Sequence, residues 1–389
     1  MKTDAMPGIP DSEAVLPEGI RSGYAEANGL CIHYLEAGDS APERPCVLLL
    51  HGFPELAYSW RHNMLPLAEL GYHVIAPDLR GCGETTGWEQ GYGAELHPFG
   101  TLNMVTDAIA LVTALGHREV QMVAGHDAGV QIAAYASLIR PDLFRSAVLM
   151  SIPFAGAPGL FSVPRPFEAD PIHRELCSLN RPRKHYTLYF SSEKANTDLM
   201  SAPQGIQGFL RAYFHMKSAD WKQNRPHPLE AWSAGSLSEM PVYYIMDLDS
   251  DMPSAVAPYM PNQEESARCG WLTDAELSVY AAAYQRTGFQ GALNWYRNGT
   301  NGLNARETRL FAGRTLDVPV LFLAGKQDWG PYQFPGALEA MSHIACTDFR
   351  GISMIEGAGH WVQQEAAPQV SQILSDFLTS VCASGKKRF

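Results

Sequence analysis

Apolar and polar positions alternate along Leu30–Ala37, the period of a strand buried on one face. Pro45–Leu50 and Tyr72–Pro77 are short apolar runs, and Ser59–Leu70 between them repeats its apolar residues at helical spacing. Leu102–Leu115 has the helical period again. Val120–Ala124 predicts a strand that breaks at Gly125, Ala128–Ile139 a helix that stops before Pro141, and Ser146–Ser151 a further strand. Strands alternating with helices in this way imply βαβ units and a mainly parallel sheet.

The alternation stops at Ile152-Pro153. Residues 154–313 are rich in Pro, Trp, Tyr and Met, with helical fragments such as Asp274–Gln285 and no convincing strand. Val318–Ala324 resumes the earlier pattern, followed by Leu338–Ile344, Gly351–Ile355 and an amphipathic helix over Ala367–Val381. The predicted organisation is a mobile arm at 1–18, a core over 19–153, a helical lid over 154–313 and the rest of the core over 314–389. No internal repeat is visible.

Composition narrows the function classes. The chain of 389 residues carries 29 Lys and Arg against 41 Asp and Glu, a net charge of −12. Its longest basic block is the terminal Lys386-Lys387-Arg388, so nucleic acid has no electrostatic footprint. Apolar runs such as Val47–Leu50 fall far short of the roughly 20 residues that span a bilayer. The seven cysteines lack paired spacing, and the start lacks a basic-then-apolar leader pattern, which together predict a reduced cytoplasmic protein. Asp247-Leu248-Asp249-Ser250-Asp251 begins like a calcium loop, but its sixth position is Met252 and its twelfth Pro258, where Gly and Glu are needed. No metal and no cofactor is expected.

Chemistry concentrates at strand ends. Val123-Ala124-Gly125-His126-Asp127-Ala128-Gly129 leaves a strand and enters a helix, and the small flanking residues allow a sharp turn that lifts Asp127 above the sheet. A carboxylate there can attack an electrophilic carbon and form an ester. His51-Gly52-Phe53-Pro54-Glu55 follows another strand, so the backbone N–H groups of Phe53 and Ala128 can face the elbow as an oxyanion hole. Ala324-Gly325-Lys326-Gln327-Asp328 and Glu356-Gly357-Ala358-Gly359-His360-Trp361 close two later strands, offering an acid and then a base. Catalytic groups of open α/β sheets collect at these carboxyl ends.

These motifs resemble the epoxide hydrolases of the α/β-hydrolase superfamily over about residues 20–383, strongest in His51–Arg61, Asp78–Thr85, Gly125–Gly129, Gly291–Asn298 and Gly359–Glu365. The resemblance implies an α/β-hydrolase fold, a mostly parallel sheet flanked by helices with an inserted helical lid. It implies an epoxide opened to a vicinal diol by Asp127, with His360 as base and Asp328 as its acid. Gly291-Ala292-Leu293-Asn294-Trp295-Tyr296-Arg297-Asn298 is similar to the segment bearing the family's lid tyrosine, which falls on Tyr296. The second falls on Tyr186, with Tyr189 close by. Phenol O–H groups can hold and protonate the alkoxide that ring opening creates. His51, Pro54, His126, Trp295 and Trp361 flank the site and are expected against substrate. Epoxide and water are the expected partners, and a homodimer stays open.

One position departs from the family. Its members, like many dehalogenases, carry Trp after the nucleophile, whereas Ala128 stands here. A halide would lack one donor, and the space gained suggests a bulky lipid or secondary-metabolite epoxide. The alternatives are a haloalkane or haloacid dehalogenase-like enzyme, an epoxide-opening cyclase and a non-catalytic receptor of the same fold.

Overall fold

A computed structural model describes residues 16–41, 43–163 and 165–385. Most of the predicted arm and the basic tail Lys386–Phe389 lie outside the described residues. Eight strands form the central sheet: β1 (Ile20–Ala27), β2 (Leu30–Ala37), β3 (Cys46–Leu50), β4 (His73–Pro77), β5 (Val120–His126), β6 (Ala147–Met150), β9 (Leu316–Gly325) and β10 (Cys346–Ile355). Their order is β1-β2-β4-β3-β5-β6-β9-β10. β1 and β2 run antiparallel to their neighbours and the rest are parallel. The expected mostly parallel sheet is present.

The strands β3, β4 and β6 are buried at every residue, as continuous apolar runs require when helices cover both faces. Alternate residues divide between two cores. Val47, Leu49, Met122, Ala124, Val148 and Leu323 pack with the Arg61–Glu69 and Ala367–Gly385 helices. Leu48, Leu50, Val123, Leu149 and Phe322 face the opposite layer, with the Thr101–Ala114 and Gly129–Ile139 helices. Register then fixes the site. Leu50 pairs with Gly125, His126 with Met150, Met150 with Leu323 and Gly325 with Ile355. The chain therefore leaves β3, β5, β6, β9 and β10 side by side, at one edge of the sheet.

Above that edge lie the helices Tyr186–Phe190, Gly205–Lys217, Asp274–Thr287 and Gln290–Thr300. Trp295 Nε1 donates to the Arg80 carbonyl at 2.9 Å, and Arg61 pairs with Glu276 at 3.0 Å, tying lid to core. Gly81 and Gly291 meet backbone to backbone; a Cβ on Gly291 would fall 2.2 Å from the Gly81 oxygen.

Three strands differ from the sequence reading. Residues 154–313 contain a two-stranded antiparallel pair, β7 (Arg183–His185) against β8 (Ile245–Asp247), whose strands are too short to leave a period in the sequence. β1 was not predicted, because only its end residues are buried and no apolar face marks it. The acidic loop after β8 is taken up locally: Asp247 pairs with Arg181 at 2.6 Å and Asp251 caps the Met252–Val256 helix.

Candidate active site

Asp127 occupies the elbow with φ of 51°, a left-handed conformation that costs a non-glycine residue roughly 1–2 kcal/mol. Its neighbours permit the turn. A Cβ on Gly125 would lie 2.3 Å from the Gly129 carbonyl oxygen, and one on Gly52 would lie 2.3 Å from Asp127 Cβ. The Phe53 N–H donates to Asp127 Oδ1 at 3.1 Å, while Oδ2 lies 3.4 Å from His360 Nε2. Burial alone would raise this carboxyl, but the hydrogen bond and charge of His360, then Lys217 and His126, hold it well below the usual carboxylate range.

His360 is held from its other nitrogen. Nδ1 lies 3.1 Å from Asp328 Oδ1 and 2.9 Å from Ser151 Oγ, and the Ser151 hydroxyl donates to Asp328 Oδ2 at 2.6 Å. Gly330 N–H adds a bond to Asp328 Oδ1 at 2.7 Å. Burial pushes Asp328 up, and the His360 charge, Ser151 and Gly330 outweigh it, so the acid stays ionised. The loop bearing His360 is fixed by Glu365, whose carboxyl group accepts the N–H groups of Gly359 and Trp361.

Behind these residues sits a second buried network. Glu55 Oε2 meets His126 Nδ1 at 2.6 Å, and its Oε1 accepts from Gln363 and Gln364, each at 2.8 Å. His126 Nε2 reaches the His360 carbonyl at 2.8 Å. His51 spans the turn, Nδ1 to the Gly52 carbonyl at 2.8 Å and Nε2 accepting the Leu79 N–H at 3.0 Å.

A cavity of about 350 Å³ opens over Asp127, lined by Ala128, Gln131, Ile152, Phe167, Trp295 and Phe334 among others. Tyr186 and Tyr296 form part of its wall, with ring centroids 6.0 Å apart. The Tyr186 hydroxyl donates to Gln333 Oε1 at 3.2 Å. Burial, reinforced by the Asp127 charge, pushes both phenols up, so both keep their protons. Tyr189 is engaged elsewhere, donating to Asp198 at 3.1 Å.

The structure thus brings Asp127, Asp328, His360, Tyr186, Tyr296, Ala128 and the Phe53 N–H to one place. Trp295 joins the cavity wall, but His51, Pro54, His126 and Trp361 are placed in the buried packing around it. His51 and His126 spend both ring nitrogens on the turn and on the His360 loop, and Trp361 donates to the Phe214 carbonyl at 2.8 Å. Sequence reasoning missed Ser151, Glu55 and Lys217. Glu55 ends the His51-Gly52-Phe53-Pro54-Glu55 turn. Ser151 ended a predicted strand and has φ of 75°, which only the structure reveals.

Residues 45–170 match the family described as alpha/beta hydrolase fold. Epoxide hydrolase A of Mycobacterium tuberculosis is 31% identical over 361 residues, covering 92% of this chain and 96% of that protein. Epoxide hydrolase 3 of Siraitia grosvenorii is 29% identical, covering 90% and 96% respectively. Among solved structures, an epoxide hydrolase from an endophytic Streptomyces superposes with a TM-score of 0.76 at 28% identity, covering 94% of this chain and 97% of its own. Potato epoxide hydrolase I gives 0.71 at 29% identity, with 93% and 99% covered.

Proposed function

The chain belongs to the epoxide hydrolases of the α/β-hydrolase fold, and on that premise we propose the route by which it turns an epoxide into a vicinal diol. The observation that carries it is the Asp127 carboxylate itself. One oxygen accepts from the Phe53 N–H, the other lies against His360 Nε2, and the residue lines a cavity walled by two protonated tyrosines. Tyr186 and Tyr296 hold the ring oxygen by hydrogen bonds. Asp127 Oδ2 attacks a ring carbon from the far side; the C–O bond of the ring breaks, and one phenol gives its proton to the departing oxygen.

An ester on Asp127 results, with Oδ1 as its carbonyl oxygen. His360, oriented by Asp328, takes a proton from water, and the hydroxide adds to the ester carbonyl carbon. The negative charge that develops on Oδ1 meets the Phe53 and Ala128 N–H groups. Collapse expels the diol and restores the carboxylate, and the proton on His360 replaces the one the phenol gave up. The catalytic assignments are Asp127, Asp328, His360, Tyr186 and Tyr296, with residues 154–313 acting as lid.

A bulky, largely apolar epoxide suits the cavity, since Ala128 leaves open the space an aromatic residue would fill. Free thiols, including the exposed Cys177 and Cys382, favour a reducing cytoplasmic setting.

The test is the intact mass of His360→Gln mixed with panels of epoxides, haloalkanes and esters. This variant forms the ester but cannot hydrolyse it. A gain equal to the whole epoxide mass, absent in Asp127→Asn/His360→Gln, is the expected result. A gain of haloalkane minus hydrogen halide, or an epoxide adduct that survives in the double variant, overturns the route.

A further inference from the structure

Lys217 closes the Gly205–Lys217 helix and is only 3% exposed. Its Nζ stands over four aromatic rings, 4.9 Å from the Tyr244 centroid, 5.2 Å from Trp361, 5.3 Å from Tyr213 and 6.0 Å from Tyr243. Ring faces carry the negative part of the aromatic quadrupole, so this cage solvates an ammonium that water barely reaches. The backbone ties it to the chemistry as well. The Lys217 carbonyl accepts the His360 N–H at 2.9 Å, and Trp361 follows His360 in the chain.

The route above makes a demand that His360 cannot meet. His360 must be neutral to take a proton from water, and Asp127 must be an anion to attack. In that state the histidine no longer contributes a positive charge to hold the buried carboxylate ionised. His126 is committed to Glu55. Lys217 is the next charge acting on Asp127 after His360, and it acts ahead of His126. The influence is mutual: burial holds the lysine below its ordinary range, and Asp127, Asp328 and Glu55 oppose that shift in part. The phenols of the cage are pushed up by burial, and those of Tyr186 and Tyr296 behave alike, so none competes as an anion.

We propose that Lys217 is a positioning residue of the site, a caged ammonium that keeps Asp127 an anion while His360 is a neutral base. The proposal rests on the reading of Asp127 as nucleophile. The same charge favours the second half-reaction, in which negative charge returns to the Asp127 carboxyl group. Arg in its place would keep the charge, and Met would keep most of the packing without it.

The experiment follows kcat/KM and the rate of adduct formation against pH in wild type, Lys217→Met and Lys217→Arg. The acidic limb of Lys217→Met is expected to move up by about one pH unit or more, as a lost neighbouring charge requires, with Lys217→Arg restoring it. A lower rate with an unmoved limb would reduce Lys217 to packing and overturn the proposal. Should Lys217→Met not fold, the side-chain ammonium resonances of the 15N-labelled wild type and Asp127→Asn carry the test. A ring-shifted signal that moves on Asp127→Asn supports the coupling, and one that stays overturns it. Wild type and His360→Gln that form no epoxide adduct would instead overturn the nucleophile assignment, and this proposal with it.

Discussion

Glu55 and His126, both wholly buried, meet at 2.6 Å directly behind the histidine proposed as base. Burial alone would drive each toward its neutral form, but their attraction wins: Glu55 is lowered and His126 raised. The carboxylate also anchors Gln363 and Gln364, so its loss unties the segment following His360. Glu55→Ala leaves a buried imidazolium without its partner and is expected to cost about 3–5 kcal/mol in urea unfolding.

The pair also fixes a pH window. A lowered Glu contributes stability above its ordinary value of 4.5, lost as pH falls through its folded value. A raised His contributes stability below its ordinary value of 6.5, lost as pH rises through its folded value. The difference in unfolding free energy between wild type and Glu55→Ala should therefore be largest between pH 4.5 and 6.5. A difference flat from pH 4 to 9 would contradict the ionised pairing.

The tyrosines separate by whether they line the cavity over Asp127. Tyr296→Phe and Tyr186→Phe each remove a proton donor from the cavity and should slow adduct formation by about 10²–10⁴-fold, the usual range for general acids. Tyr189 donates to Asp198 outside the cavity wall, so Tyr189→Phe should leave single-turnover rates near wild type. Equal effects at Tyr186 and Tyr189 would remove Tyr186 from the mechanism.

Ser151 offers a cleaner separation of the two half-reactions. Its hydroxyl braces Asp328 and His360 but does not touch Asp127 in the structure. Removing one hydrogen bond to a charged group costs roughly 1.5–3 kcal/mol, so Ser151→Ala should slow ester hydrolysis by about 10–100-fold with adduct formation little changed. Ser151→Gly should show the same kinetics and unfold later than Ser151→Ala, because glycine accepts φ of 75° without strain. Stopped-flow rates and thermal unfolding of the two variants check both halves of the argument.

How far the sequence revealed this site follows from the range of each interaction. The parallel strands were legible because burial on both faces writes a continuous apolar run, and Asp127 was legible because its elbow needs small residues within a few positions. Ser151 was not: its partner Asp328 lies 177 residues away, a distance no local pattern spans. Lys217 was hidden for the same reason, as its cage joins one helix, the segment 243–244 and the loop after β10. His51 and His126 adjoin the motifs in sequence, which suggests substrate contact. Adjacent positions at a strand end point to opposite sides, and theirs point into the protein.

The residue at 128 is expected to decide which epoxides fit. Ala128 caps the N-terminus of the Gly129–Ile139 helix, Gln131 sits in its first turn, and both line the cavity beside Asp127. Ala128→Trp keeps the backbone N–H assigned to the oxyanion hole and fills space in the cavity, so its effect should be steric. Small epoxides should keep kcat/KM within about threefold of wild type, while bulky ones lose at least about tenfold, roughly 1.4 kcal/mol of transition-state binding. Competition between one small and one bulky epoxide, followed by diol formation in both proteins, gives the ratio directly. Equal losses on both would place the bulky substrate's extra volume elsewhere in the cavity, toward Phe167 and Phe334.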